Sequence, residues 1–246
     1  MKEVVKHLPH ENIVYLGDTA RLPYGNKSPQ AILRYTLENV SFLLDQKIKI
    51  LIVACFTASS HALETLEQKL SIPVIGVIQS GFETLMNATR SKRVAILGTA
   101  STIKSGILQT LIAKQDPSAI VYPIACPLLA PLIEEGLIDH PATRMIVEHY
   151  LAPLKEKDID AALLACTHYP LIRQAIQEVL GPSVQLIEPA ECCALKAKEW
   201  LESKGMLNRI QSKPVYEFFA SDDPEKFRCL AHQFLGAEVK EVRGCL

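Results

Sequence analysis

Ile50-Leu51-Ile52-Val53-Ala54-Cys55 and, further along the chain, Ala161-Ala162-Leu163-Leu164-Ala165-Cys166 are two versions of one motif. Each is an unbroken apolar run that ends in a cysteine. Each leads through a small polar turn into a helical stretch and then into another apolar run, at Ser71-Ile72-Pro73-Val74-Ile75 and at Ser183-Val184-Gln185-Leu186-Ile187. A strand that is apolar throughout, rather than alternating, belongs to a sheet covered on both faces. The motif therefore predicts two equivalent strand–helix–strand units, each with a cysteine at the carboxyl end of a buried parallel strand.

The same rhythm continues outward from both copies. Apolar runs at 13–16, 50–54, 74–77, 94–97, 120–124, 161–165, 184–187, 215–219 and 238–242 read as strands. Helices fill the stretches between them. Ser28-Pro29 caps and opens one over 30–46, with Leu33, Leu37, Val40 and Leu44 as its buried stripe. His140-Pro141 opens another over 142–157. Tyr169-Pro170 opens a third over 171–180, which Gly181-Pro182 stops. Strand–helix alternation of this kind gives an α/β fold with parallel sheets. The repeat divides it into two pseudo-symmetric lobes, residues 1–79 with 189–246 and residues 80–188, with the active site in the cleft between them. Two runs, 94–97 and 120–124, precede Cys166, but only 13–16 precedes Cys55. The counterpart of Val94-Ala95-Ile96-Leu97-Gly98-Thr99 would fall before residue 1, with the short helix 2–7 matching the end of the helix after Thr102.

Composition narrows the function. Twenty-six Lys and Arg against 27 Asp and Glu leave a net charge of −1, with no field to gather nucleic acid or an anionic membrane surface. No apolar run reaches the roughly 20 residues of a membrane helix, and the start lacks the apolar segment of a signal peptide. A cytoplasmic location is expected. Seven cysteines, an odd number, argue against a disulfide framework. Adjacent Cys192 and Cys193 lack zinc-ligand spacing. There is no glycine-rich phosphate motif, so no cofactor is expected.

In parallel sheets, ligands bind beyond the carboxyl ends of the strands. Cys55 and Cys166 both lie there, each before a helix whose amino terminus favours a thiolate. A single cysteine after an apolar strand is usually inert. Two at matching places in a repeat face one cleft. Opposed thiols suit proton transfer at a stereogenic carbon, where one removes a proton and the other returns a proton to the opposite face.

Three segments carry a resemblance. Gly17-Asp18-Thr19-Ala20-Arg21-Leu22-Pro23-Tyr24-Gly25, Val53-Ala54-Cys55-Phe56-Thr57-Ala58-Ser59 and Ala165-Cys166-Thr167-His168-Tyr169-Pro170-Leu171 strongly resemble glutamate racemase, a cofactor-independent amino-acid racemase family. The resemblance runs over essentially the whole chain. It implies a racemase that interconverts L- and D-glutamate and supplies D-glutamate for peptidoglycan, with Cys55 and Cys166 as the two acid/bases. It implies that His168 assists Cys166 and that Glu134 supports that side. Pro23, Tyr24 and Gly25 match the loop that encloses the substrate. Phe56, Thr57, Thr99, Thr102 and Thr167 match substrate-contact positions. A homodimer is also implied. Cys126, Cys192, Cys193, Cys229 and Cys245 match no role, nor do the other histidines, His61 among them.

Two departures stand out. The family begins with a strand and an Asp-Ser-bearing turn, the segment that the repeat also puts before residue 1. A chain without it is expected to be unstable or weakly active. The family also has Asn after the first cysteine, where this chain has Phe56, and a phenyl ring cannot bond a charged ligand group. Two further readings therefore stay open: a racemase for another amino acid, and a binding homologue without activity.

Overall fold

The computed structural model describes residues 1–209, 213–235, 239 and 241–245, the side chains of 233–235 excepted. Nine strands are described: β1 Ile13–Gly17, β2 Leu51–Val53, β3 Val74–Gly76, β4 Arg93–Gly98, β5 Ile120–Ala125, β6 Ala161–Ala165, β7 Gln185–Ile187, β8 Tyr216–Ala220 and β9 Arg243–Gly244. The helices are α1 Lys2–His7, α2 Pro29–Asp45, α3 Phe56–Lys69, α4 Val77–Ala88, α5 Ala100–Ser105, α6 Ile107–Gln115, α7 Leu129–Glu134, α8 Pro141–Leu151, α9 Arg173–Leu180, α10 Ala190–Ser203 and α11 Pro224–Leu235. All strand pairings among them are parallel.

The second lobe is a four-stranded sheet in the order β5-β4-β6-β7. Its two central strands explain their own composition. On one face Ala95 and Leu97 of β4 join Ala162 and Leu164 of β6 in a core completed by Val147, Leu151 and Ile176. On the other face Val94 and Ile96 join Ala161, Leu163 and Ala165, covered by Ile78, Phe82 and Leu85 of α4 and Ile112 of α6. Side chains alternate between faces and both faces are buried, so no polar position is tolerated.

The first lobe is divided. Strands β1, β8 and β9 form one ladder, and β2 and β3 form another. The repeat equates β1 with β5, β2 with β6 and β3 with β7. In the second lobe β4 stands between β5 and β6. Among the described residues no strand stands between β1 and β2. The helices covering this lobe follow their sequence signals. Ser28 caps α2 by accepting from the Ala31 N–H at 3.2 Å, with Pro29 in the first turn. The buried stripe of α2 is Ile32, Thr36 and Val40, rotated by one residue from the expected one, and Leu44 is exposed.

Other differences are local. The helix expected over 142–157 ends at Leu151 and tightens into a 3-10 turn at Ala152–Leu154, where Pro153 has no N–H to continue it. The helix expected over 171–180 opens as a 3-10 turn, Tyr169–Ile172, before α9. Of the strand expected over 238–242, Glu238 and Lys240 lie outside the described residues; β9 begins beyond it, at Arg243.

Candidate active site

Cys55 follows β2 after Ala54 and is the N-cap of α3, where its Sγ accepts from the Ala58 N–H at 3.5 Å. Burial pushes this thiol up, the Ala58 N–H pulls it back, and charge on Cys166 pushes it up again.

Cys166 follows β6 directly. Its Sγ is 3.7 Å from His168 Nδ1, and His168 Nε2 is 2.8 Å from Glu134 Oε1 at the end of α7. Burial alone would lower His168, but its bonds to Cys166 and Glu134 win and raise it to about 10. The imidazole is therefore a cation at neutral pH, held between a sulfur and a carboxylate. Beneath it the Tyr169 ring is fully buried, and its hydroxyl donates to the Cys126 carbonyl at 2.9 Å. That bond ties the turn after Cys166 to the segment leading into α7.

The threonines join the lobes. Thr57 in the first turn of α3 bonds Thr99 at 2.9 Å and Thr102 at 3.0 Å, and Thr99 and Thr102 are 3.0 Å apart. Thr99 is also the N-cap of α5, accepting from the Thr102 N–H at 3.2 Å. Three hydroxyls and two helix amino termini converge from opposite lobes, which is donor chemistry suited to carboxylates. Gly25 closes this side. A Cβ there would lie 2.5 Å from Thr99 Cβ, so only glycine lets the loop sit on Thr99. His61, given no role from the sequence, bonds Ser101 at 2.9 Å and adds a further contact between α3 and α5.

Two expected positions are placed differently. The Phe56 ring is buried in the apolar cluster with Val77, Ile78, Phe82 and Leu163, and its edge lies against Gly81. Its ring therefore belongs to the core under α4, because an aromatic side chain loses more facing polar hydroxyls than packing on aliphatic ones. Thr167 is exposed on the turn after Cys166 and makes none of the bonds of the other three threonines. Sequence reading also missed the polar partners of the 18–26 turn: Asp18, Arg21, Asn39 and Ser221. Asp18 and Arg21 lie in a quoted motif, but Asn39 and Ser221 give no local signal.

Glu3, His7 and Glu191 bring three metal-ligating atoms within 4.8 Å of one another, between α1 and α10. Lys6 bonds both carboxylates, at 3.1 and 2.9 Å, so they already share an ammonium partner in an ion-pair cluster. A groove of about 640 Å³ is lined by Pro170, Leu171, Arg173, Gln174, Gln177 and Glu178; neither thiol nor any of the threonines lines it. Thr57 and Thr102 are each 2% exposed, as in a cleft whose lobes are closed on each other.

The family model for Asp/Glu/hydantoin racemase matches residues 1–197. A glutamate racemase from Chlorobaculum tepidum is 44% identical over 243 residues, covering 98% of this chain and 89% of the relative. Among solved structures, a glutamate racemase from Bacillus anthracis superposes with a TM-score of 0.94 at 35% identity, covering 100% of this chain and 91% of that one. A glutamate racemase from Francisella tularensis, solved in complex with D-glutamate, gives 0.93 at 34% identity, with the same coverage.

Proposed function

The chain belongs to the Asp/Glu/hydantoin racemase family, and from that premise we propose that it interconverts L- and D-glutamate by moving the Cα proton between Cys55 and Cys166. One sulfur, as thiolate, takes the α-proton and leaves a planar carbanion. The other, as thiol, gives its proton to the opposite face. Each inversion ends with the proton inventory of the two sulfurs exchanged, so the reverse reaction starts from the product state.

The observation that carries this reading is that the two thiols stand at equivalent places of a repeat, each between a buried parallel strand and a helical turn. The remaining residues take roles that fit it. His168, cationic and braced by Glu134, steadies negative charge on Cys166. The backbone N–H groups at the start of α3 do the same for Cys55, a weaker arrangement. Thr57, Thr99 and Thr102 offer hydroxyls and helix-terminal N–H groups to the substrate's carboxylates, and Thr167 offers an exposed hydroxyl at the rim. Pro23, Tyr24 and Gly25 close over the ligand, and position 56 contributes its backbone N–H.

The lobes comprise residues 1–79 with 189–246 and residues 80–188, and the chain acts as a cytoplasmic homodimer that supplies D-glutamate for peptidoglycan. Among the described residues no helix is long and apolar enough to cross a membrane.

The test is racemisation itself. L-Glutamate should lose its circular dichroism to zero, and Cα should take up deuterium from heavy water. Cys55→Ser and Cys166→Ser should each cut turnover roughly 10²–10⁴-fold or more. Either variant turning over like the parent would defeat the two-thiol reaction. A parent that exchanges Cα of another amino acid but not of glutamate would defeat the substrate assignment.

A further inference from the structure

The reaction leaves one buried carboxylate unexplained. Asp18 follows β1, and its side chain is 7% exposed. Its partners come from four other places in the fold: Arg21 Nε at 2.8 Å, Asn39 Nδ2 of α2 at 3.1 Å, Ser221 Oγ beyond β8 at 2.8 Å, and the Tyr24 hydroxyl. Every one is a donor. Burial opposes ionisation here, but the bonds from Tyr24, Arg21, Ser221 and Asn39 hold the carboxyl below the usual carboxylate range.

The partners are themselves tied down. Arg21 also donates to Asn39 Oδ1 at 2.8 Å and to Glu38, and lies 4.6 Å over the Tyr35 ring. The Ala20 N–H donates to Ser221 Oγ at 2.9 Å. The Tyr24 hydroxyl donates to Asp18 and accepts from Asn39 Nδ2 at 3.1 Å. Both of its hydrogen-bonding roles are thus spent inside the protein. The next residue, Gly25, is the one seated on Thr99.

We propose that Asp18 is a positioning residue. It fixes the 18–26 turn, before substrate arrives, in the shape that seats Gly25 against the second lobe, and the Tyr24 hydroxyl is an anchor of that turn rather than a substrate ligand. The kinetic consequence rests on the racemase reading; the structural consequence does not. A loop ordered in advance binds at lower entropic cost, so its loss shows first in KM. An amide at position 18 keeps the shape of the carboxylate but loses its charge and turns an NH2 toward groups that all donate to it here, of which the Arg21 guanidinium cannot accept at all.

The test compares the parent with Asp18→Asn, Tyr24→Phe and Ser221→Ala, first without ligand. Amide exchange is read over 18–27, with β4 as the internal reference. Asp18→Asn should lose about tenfold or more of the protection of 18–27 and leave β4 unchanged. The other two should fall between it and the parent. In racemisation assays, Asp18→Asn should raise the glutamate KM about tenfold with kcat within about threefold, and Tyr24→Phe should raise KM less. Parental protection of 18–27 in Asp18→Asn overturns the proposal. If that variant does not fold, parental protection in both Tyr24→Phe and Ser221→Ala overturns it instead. Loss of turnover in Tyr24→Phe with the turn still protected also overturns it. A parent that does not racemise glutamate sinks the racemase reading alone, because the exchange arm still decides the role of Asp18.

Discussion

The two lobes put the same motif into different company. In the second, β6 lies between β4 and β7, and Ala165, just before the cysteine, is fully buried. In the first, among the described residues, β2 pairs with β3 alone, and Ala54, at the same place before its cysteine, is exposed. The residue after each cysteine differs in the opposite sense: Phe56 is buried and Thr167 is exposed. Charge differs as well. Cys166 has an imidazolium backed by a carboxylate, whereas Cys55 has backbone N–H groups. A repeat in sequence therefore fixes where a cysteine stands, while the neighbouring elements decide what faces its sulfur.

The largest test of that contrast is His168→Ala, which strips the ionic partner from one side. Turnover should fall roughly 10²–10⁴-fold. Because mirror-image substrates have equal free energy, kcat/KM must fall equally for L- and D-glutamate. Parental turnover would erase the ionic difference between the lobes. Next comes the pair after the cysteines. Phe56→Ala should cost about 3–5 kcal/mol in urea unfolding, and Thr167→Ala less than about 0.5 kcal/mol. Similar costs would mean that the two positions share one environment after all.

A smaller effect probes the space between the sulfurs. Cys55 should alkylate only at pH values above the ordinary thiol range, and Cys166→Ser should move that profile down by removing the charge that opposes it. An unmoved profile would separate the two thiols. The smallest effect is on stability. His168 is raised from an ordinary 6.5 to about 10. Its contribution is full below pH 6.5 and is lost as pH rises through about 10, since the folded chain holds a proton there that the unfolded chain releases. Over that window the parent should lose more melting temperature than His168→Gln does. Parallel curves would contradict it.

Strand β6 was legible to the residue because both faces of a central strand demand apolar side chains, and the run 161–165 has no other use. Strand β2 was overread at both ends, 50–54 against Leu51–Val53, because ladder length depends on partners that the run itself does not encode. Cys55, Cys166, His168 and Glu134 were legible through motif and repeat, and the last three form one connected chain. The Phe56 ring was not, since an aromatic beside Cys55 can turn either outward or to the core, and the missing Cβ at Gly81, where the ring edge packs, decides it. The Asp18 cluster was illegible because Ser221 lies 203 residues from Asp18.

The three threonine hydroxyls have a property that a salt bridge would lack. Each of the three contacts can take its proton from either oxygen. The closed ring can therefore run clockwise or anticlockwise with no heavy atom displaced, and hydroxyl rotation is fast on the scale of turnover. Reversing the sense of the ring leaves the seam between the two lobes in place, whereas reversing a salt bridge would require its charges to change sides.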